Sequence, residues 1–174
     1  MTEISEKTYK TILSLSEKTL TGDWVILGGA LLHLLGKNIR TTTDIDLVPI
    51  SEAGNSSLTQ TFELAERAGL EIGVINSAAL HFLSKIPNYR DELILLREWK
   101  SGKIFRPNLY LFVVLKIERF TESDFLDISA MIEIDLPEKT PKMLKRIAAH
   151  IRSKVKILEN EKLRQAKKLL NLLA

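Results

Sequence analysis

At 174 residues, with 45% apolar and 27% charged content, the chain is long enough for one full core, or one core with a small helical appendage, and too short for two large domains. Cysteine is absent and the three histidines are scattered, which excludes a disulfide framework, a thiolate metal site and a histidine-based zinc centre; a bound metal would have to prefer carboxylate oxygen. The net charge of +3 hides an asymmetry, because residues 142–174 carry ten Lys or Arg against Glu159 and Glu161, whereas residues 1–141 carry fifteen against twenty acids.

The opening MTEISEKTYK has no signal-peptide pattern. Tyr9 to Thr19 then predicts a short amphipathic helix, with Ile12, Leu13 and Leu15 among polar residues, ending before the turn Thr21-Gly22-Asp23. Trp24 to Leu27 is a brief apolar run that stops at Gly28-Gly29, and the helix formers Ala30 to Leu35 follow, giving strand, glycine turn and helix. Beyond the break Gly36-Lys37-Asn38, Thr43 to Val48 alternates Asp44 and Asp46 with Ile45 and Leu47 and is closed by Pro49, so the two aspartates are expected on one face of a strand.

Ser56 to Ala68 predicts a helix with Gly69 at its C-terminal position, Glu71 to Ile75 a strand, and Ser77 to Leu83 a short helix. Leu93 to Trp99 and Lys103 to Arg106, joined by Lys100-Ser101-Gly102, predict a hairpin. Leu109 to Phe120 fits strand or helix by periodicity; its length and the charges at Lys116, Glu118 and Arg119 favour a buried helix. Its apolar run Leu109 to Leu115 is the longest in the chain and far below the roughly 20 residues of a membrane helix, so a soluble, cytoplasmic protein with no membrane partner is expected. Thr121-x-x-Asp124 opens a further helix as a capping box, stopping near Leu136-Pro137. From Pro141 on, Leu144, Ile147, Ile151, Val155 and Leu158, then Leu163, Ala166, Leu170 and Leu173, predict one long or two shorter amphipathic helices. The expected division is a core at 1–136 and a basic helical tail at 137–174.

Several residues carry chemistry. Gly-Gly after a strand lets the backbone turn sharply and approach a ligand, and N–H groups at the following helix start can receive phosphate oxygens; a plain structural turn explains the pair equally well. Two carboxylates two residues apart on a strand can hold one or two hard cations about a triphosphate, or can be the solvated face of an edge strand. Lys116, taken by itself, reads as a lysine snorkelling at a helix surface. Asp124 is accounted for by the Thr121 cap, whereas Asp127, one turn further in, gains nothing from capping. His33 and His81 read as packing residues, and Asn76 as a cap for the helix from Ser77 or a weak ligand.

Gly28-Gly29 followed by Arg40-x-Thr42-x-Asp44-Ile45-Asp46-Leu47 resembles the signature of the DNA polymerase beta-like nucleotidyltransferase superfamily, and more narrowly its small prokaryotic members related to abortive-infection-type toxins. The resemblance runs through Val74-Ile75-Asn76 and Leu115-Lys116-x-x-Arg119 to Asp124-x-x-Asp127-Ile128, about residues 24–132. It implies an α/β (α+β) fold, a short mixed sheet flanked by helices with further helices at the C-terminus. It also implies that Gly28 and Gly29 touch nucleotide phosphates, Asp44 and Asp46 coordinate Mg2+, Lys116 contacts the phosphates, and Asp127 assists the attacking group or orients Lys116. Arg40 and Thr42 either fix the aspartate strand or lie near a substrate phosphate. Superfamily enzymes commonly carry a third carboxylate on a neighbouring strand, where this chain offers only Glu71 or Asn76.

The expected function is therefore magnesium-dependent transfer of a nucleotide from an NTP to a hydroxyl on RNA, a protein or a small molecule. The alternative is a catalytically inactive nucleotidyltransferase-like binding protein, within a toxin–antitoxin or phage-defence pair and with an antitoxin as partner. The basic tail either tracks a nucleic-acid backbone or is a solvated face; it has no interleaved aromatics for base stacking.

Overall fold

The computed structural model describes residues 5–39, 41–50, 55–155, 158 and 160–173, which group into two compact units, Met1–Pro107 and Asn108–Ala174. Among the described residues no helix is long and apolar enough to cross a membrane.

The first unit opens with helix α1 (Glu6–Thr19), started by a capping box in which the Ser5 hydroxyl accepts from the Thr8 N–H and the Thr8 hydroxyl accepts from the Ser5 N–H. Strand β1 (Gly22–Leu27) and helix α2 (Ala30–Leu34) follow, then β2 (Ile45–Pro49), α3 (Asn55–Arg67), β3 (Ile75–Asn76), α4 (Leu80–Leu83), a 3-10 turn at Tyr89–Glu92, and the strands β4 (Leu93–Trp99) and β5 (Gly102–Pro107). The strands form one mixed sheet in the order β3-β2-β1-β5-β4. β1 runs antiparallel to β2 and parallel to β5, β2 is parallel to β3, and β4 closes the hairpin with β5. The fold class is thus the expected α+β arrangement. Trp24 and Ile26 of β1, Ile45 and Leu47 of β2, Ile75 and Ile104 meet Tyr9 and Ile12 of α1 and Leu64 and Ala65 of α3 in one buried core. Period-2 strands laid against 3.6-period helices produce this packing, each element supplying its apolar face.

The ends of β2, β3 and α4 differ from expectation, each for a local reason. β2 starts at Ile45, so Asp44 lies just before the strand, and it continues through Pro49, which pairs with Trp24. The Ile50 N–H donates to the Asp23 carbonyl, so the missing N–H of Pro49 points away from β1 and removes no bond from that ladder. Residues 71–74 are not strand: the Val74 N–H turns back to the Glu71 carbonyl, leaving β3 only Ile75 and Asn76. The Asn76 side-chain oxygen accepts from the Ala78 N–H at 3.0 Å, a local turn that delays α4 to Leu80. His33 is buried and stacks on Tyr9, as expected of a packing residue; His81 is instead exposed, its ring edge against Phe82.

Among the described residues the second unit is four helices, α5 (Leu109–Ile117), α6 (Glu122–Glu133), α7 (Pro141–Val155) and α8 (Asn160–Leu172). The ambiguous segment is helical because Asn108 caps it, its side chain accepting from the Leu111 N–H at 2.9 Å, and because it packs on both α6 and α7, where strand geometry would leave its backbone unpaired. α8 packs on α6 and α7, and the described helical residues of the basic tail fall into these two helices, α7 and α8.

Gly102 faces Gly22 across the parallel pair, and a Cβ built at Gly102 would run into the Gly22 carbonyl oxygen, backbone that cannot step aside. Gly102→Ala is expected to cost about 1–3 kcal/mol by overpacking, a drop in melting temperature of roughly 2–4 °C per kcal/mol in a chain of this size. An unchanged thermal melt would contradict this close approach.

Candidate functional site

The first cluster of the expected residues forms where β1 ends. Leu27 stands opposite Asp46 in the antiparallel register, so the turn after Leu27 begins beside the Asp46 side chain. Gly28 takes φ +75°, a left-handed conformation that costs glycine little and other residues more, and a Cβ at Gly28 would fall on the Asp46 carboxylate oxygen. Turn and carboxylate are therefore in direct contact, and only a residue without a side chain leaves room for it. Gly29 follows, half-buried, at the start of α2. Asp46 is half-buried in a strand whose other four residues are buried, and Asp44, two residues earlier, is exposed.

On the far side of β2, Asn76 is the parallel register partner of Asp46, so the side chains of this pair share a face of the sheet. The neighbouring-strand position thus carries an amide whose oxygen is already engaged by the Ala78 N–H. Glu71 lies in the turn before β3 and is exposed. Thr42 is buried, and its hydroxyl has no hydrogen-bond partner among the described residues, a state that costs about 1–3 kcal/mol for a buried polar group. Arg40 lies outside the described residues.

The donors present suit magnesium. It is bound through one or two carboxylates with water and phosphate oxygens completing its shell; Asp46 stands at the glycine turn and Asp44 two residues before it in the chain. Among the described residues no group of three or more His, Cys, Asp or Glu could hold a metal by protein ligands alone. A cation here would depend on phosphate oxygens from a ligand.

The other expected residues gather within the second unit. Phe120, buried at a left-handed φ of 41°, links α5 to α6 and folds the cations of the first helix onto the acids of the second. The Lys116 ammonium donates to Asp127 at 2.7 Å and to Asp124 at 3.3 Å, with all three side chains almost wholly buried. Arg119, largely exposed, forks onto both oxygens of Asp124 at 3.0 and 2.8 Å, and Asp124 also accepts from the Thr121 N–H and hydroxyl. Asp124 therefore does more than the expected capping, since it also answers two cations. The pairing of Lys116 with an acid eight residues on crosses a helix–turn–helix, which periodicity within one helix does not reveal. Burial alone would raise the Asp124 carboxyl, but the Arg119 and Thr121 hydrogen bonds and the Lys116 charge outweigh it and hold the group well below the usual carboxylate range.

Two outcomes follow from this cluster. Asp124 stays ionised in the folded chain where the unfolded chain takes up a proton near about 3.9, so its stabilisation is full above that value and is lost as pH falls toward the folded pKa. Asp124→Asn should therefore lower stability near neutral pH and flatten the fall in stability below about pH 4, read by urea unfolding across pH. Lys116→Met strands two buried carboxylates and should cost about 3–5 kcal/mol. A Lys116→Met melt equal to wild type would show that the lysine is not part of the framework and return it to a purely ligand-binding role.

Neither a curated protein nor a solved structure matches the chain. One family model does, over residues 6–169, and its description is Nucleotidyltransferase of unknown function (DUF6036). That span takes in the glycine turn, the two aspartates, Asn76 and the buried Lys116–Asp127 pair, and because it covers nearly the whole sequence, the chain belongs to this nucleotidyltransferase family.

Proposed function

We propose that this protein is a nucleotidyltransferase of the DNA polymerase beta-like kind, using magnesium to move a nucleotide from an NTP to a hydroxyl on an RNA, protein or small-molecule acceptor. The observation that carries the reading is the contact between Gly28 and Asp46: an acid-bearing strand is pressed against a turn that only glycine can make, which brings backbone and carboxylate to one point. In the reaction the acceptor oxygen bonds to the α-phosphorus, pyrophosphate leaves, and the acceptor proton passes to solvent. Asp44 and Asp46 would hold the magnesium, which would supply charge neutralisation for the phosphates and the leaving group. Gly28 and Gly29 let the phosphates approach the backbone, Thr42 offers its hydroxyl beside them, and Arg40, two residues before it, supplies positive charge. Most of the rate enhancement comes from positioning and charge rather than from covalent chemistry. The buried ion pairs of Lys116 support a framework role for it; a contact from Lys116 to phosphate, with Asp127 orienting it, remains part of the proposal and is separable by the stability measurement above.

A second reading is favoured by Asn76. Its oxygen already accepts from the Ala78 N–H, and as a neutral amide it adds no negative charge for a second cation and takes no proton from the acceptor. This supports a protein that binds a magnesium nucleotide, or an antitoxin in a toxin–antitoxin pair, without turnover. Fold alone does not separate the two.

Calorimetric titration of each NTP with magnesium into wild type and into Asp44→Ala/Asp46→Ala, followed by transfer of an α-labelled NTP, tests both readings. Magnesium-dependent binding lost in the double variant supports the site; label appearing on an acceptor makes it an enzyme, and binding without transfer favours the second reading. Gly28→Ala drives a methyl group into Asp46 and should lower the rate of label transfer by about 10- to 100-fold, the scale of misplacing a reacting group by roughly 1 Å. Failure of every NTP to bind wild type would overturn the nucleotide site.

A further inference from the structure

α7 (Pro141–Val155) carries Lys142, Lys145, Arg146, Arg152 and Lys154 and no acidic residue. Its buried side is Ile147, Ala148 and Ile151, while Lys142, Lys145, Arg146 and Arg152 are exposed and recur at helical spacing on the opposite side. Lys154 turns aside to pair with Glu118, but among the described residues no carboxylate pairs with Lys142, Lys145 or Arg152. The cations of α8 are partly answered within the unit: Arg164 pairs with Glu161 at 2.9 Å, and Lys162 donates to the Arg119 carbonyl at 3.2 Å. The positive field is therefore densest along α7, over about 15 Å from Lys142 to Arg152 at 1.5 Å per residue.

An aromatic ring sits within this stripe, supplied by another helix. The Arg146 guanidinium lies 3.6 Å from the centroid of the Tyr110 ring of α5, and His150, one turn further along α7, holds that ring edge-on at 6.1 Å. Arg146 is nonetheless exposed, so one side of its plane is backed by the ring while part of it stays open to solvent. An arginine plane backed by an aromatic ring is a stacking platform for an unpaired base.

The surroundings narrow the ligand class. A helix that lies on a membrane sinks its apolar face into lipid, but the apolar face of α7 is consumed by packing on α5 and α8. A protein partner would be expected to find an apolar centre, and the exposed residues of α7 include only Pro141 at its start and Ala149 among the cations as apolar side chains. A polyphosphate backbone needs neither, because its affinity comes from charge and counterion release.

We propose that this face of α7, together with Tyr110, binds single-stranded nucleic acid: Lys142, Lys145 and Arg152 meet successive phosphates and the Arg146–Tyr110 stack receives an unpaired base. The surface belongs wholly to the second unit, and its argument does not rest on the nucleotide site of the first.

The test uses the full chain and a labelled RNA oligonucleotide of about 15 nucleotides, within the site sizes usual for such proteins, followed by fluorescence anisotropy. With three or four phosphates neutralised, affinity should fall about 20- to 50-fold between 50 and 200 mM salt. Charge reversal at three exposed positions, Lys142→Glu/Lys145→Glu/Arg152→Glu, should flatten that dependence and weaken binding at least tenfold at low salt, while leaving NTP titrations unchanged. Tyr110→Leu, its fold checked by thermal melt, should keep the salt dependence and weaken binding about fivefold at fixed salt, the scale of one lost stack. Affinity that ignores salt or the triple reversal overturns the proposal. So does duplex RNA bound as tightly as the single strand, polyglutamate competing as well as unlabelled oligonucleotide, or sedimentation with anionic vesicles that the triple reversal abolishes.

Discussion

The register of β2 against β1 is the constraint on which the candidate site depends. Leu27 opposite Asp46 brings an acidic side chain to the end of a strand whose next residue is Gly28 in the left-handed region. In β2 the side chains alternate between faces, so a slip of one residue would carry Asp46 into the core and Ile45 and Leu47 out of it. The apolar positions of β2 thus fix the register with the energy of the whole core, and the polar position inherits its place from them. Its contact with Gly28 is a by-product of packing that chemistry can use. The same ladder sets Asn76 beside Asp46, so one pairing determines what stands on either side of the carboxylate.

A different logic holds in the second unit. Lys116, Asp124 and Asp127 are buried charges, and such charges are tolerated only when they answer one another and their remaining hydrogen-bonding groups are filled. Here Arg119 and Thr121 complete the set. The cluster ties α5 to α6 across the left-handed turn at Phe120 with a directionality that apolar packing lacks, since a shift of either helix by one residue would break several charged bonds together. It also fixes the base of α5, the helix that carries Tyr110 toward α7 at its other end.

Much of this was legible in the sequence because local signals and tertiary demands agree. The Thr121-x-x-Asp124 box starts α6 as written, the glycine turn follows the Trp24 to Leu27 strand, and the fold class follows from the order of elements. The differences arise where a side chain or a distant partner decides. Residues 71–74 alternate like a strand but close on themselves in a turn, and Asn76 spends its oxygen locally. Asp124 was readable as a cap because its partner lies three residues away; its bonds to Lys116 and Arg119 depend on a reversal of chain direction that only a non-glycine residue in a left-handed conformation reveals. The aromatic partner of the basic helix was hidden for the same reason, Tyr110 standing 36 residues before Arg146.

Both units break the rule that strands and helix interiors should be apolar, but they do so in opposite ways, and the contrast bears on which is the site of chemistry. In the second unit each buried charge is answered by a named opposite charge on a neighbouring turn, so the cluster is complete without a ligand. In the first, two like charges are placed two residues apart along the chain, one exposed and one half-buried, and two residues before them in sequence a buried threonine hydroxyl has no partner among the described residues. Like charges at that spacing repel, and a cation between them converts the repulsion into attraction. The buried charges around Lys116 thus answer one another as a framework, and the contact of Asp46 with Gly28 is the feature of the first unit on which the proposed nucleotide site rests.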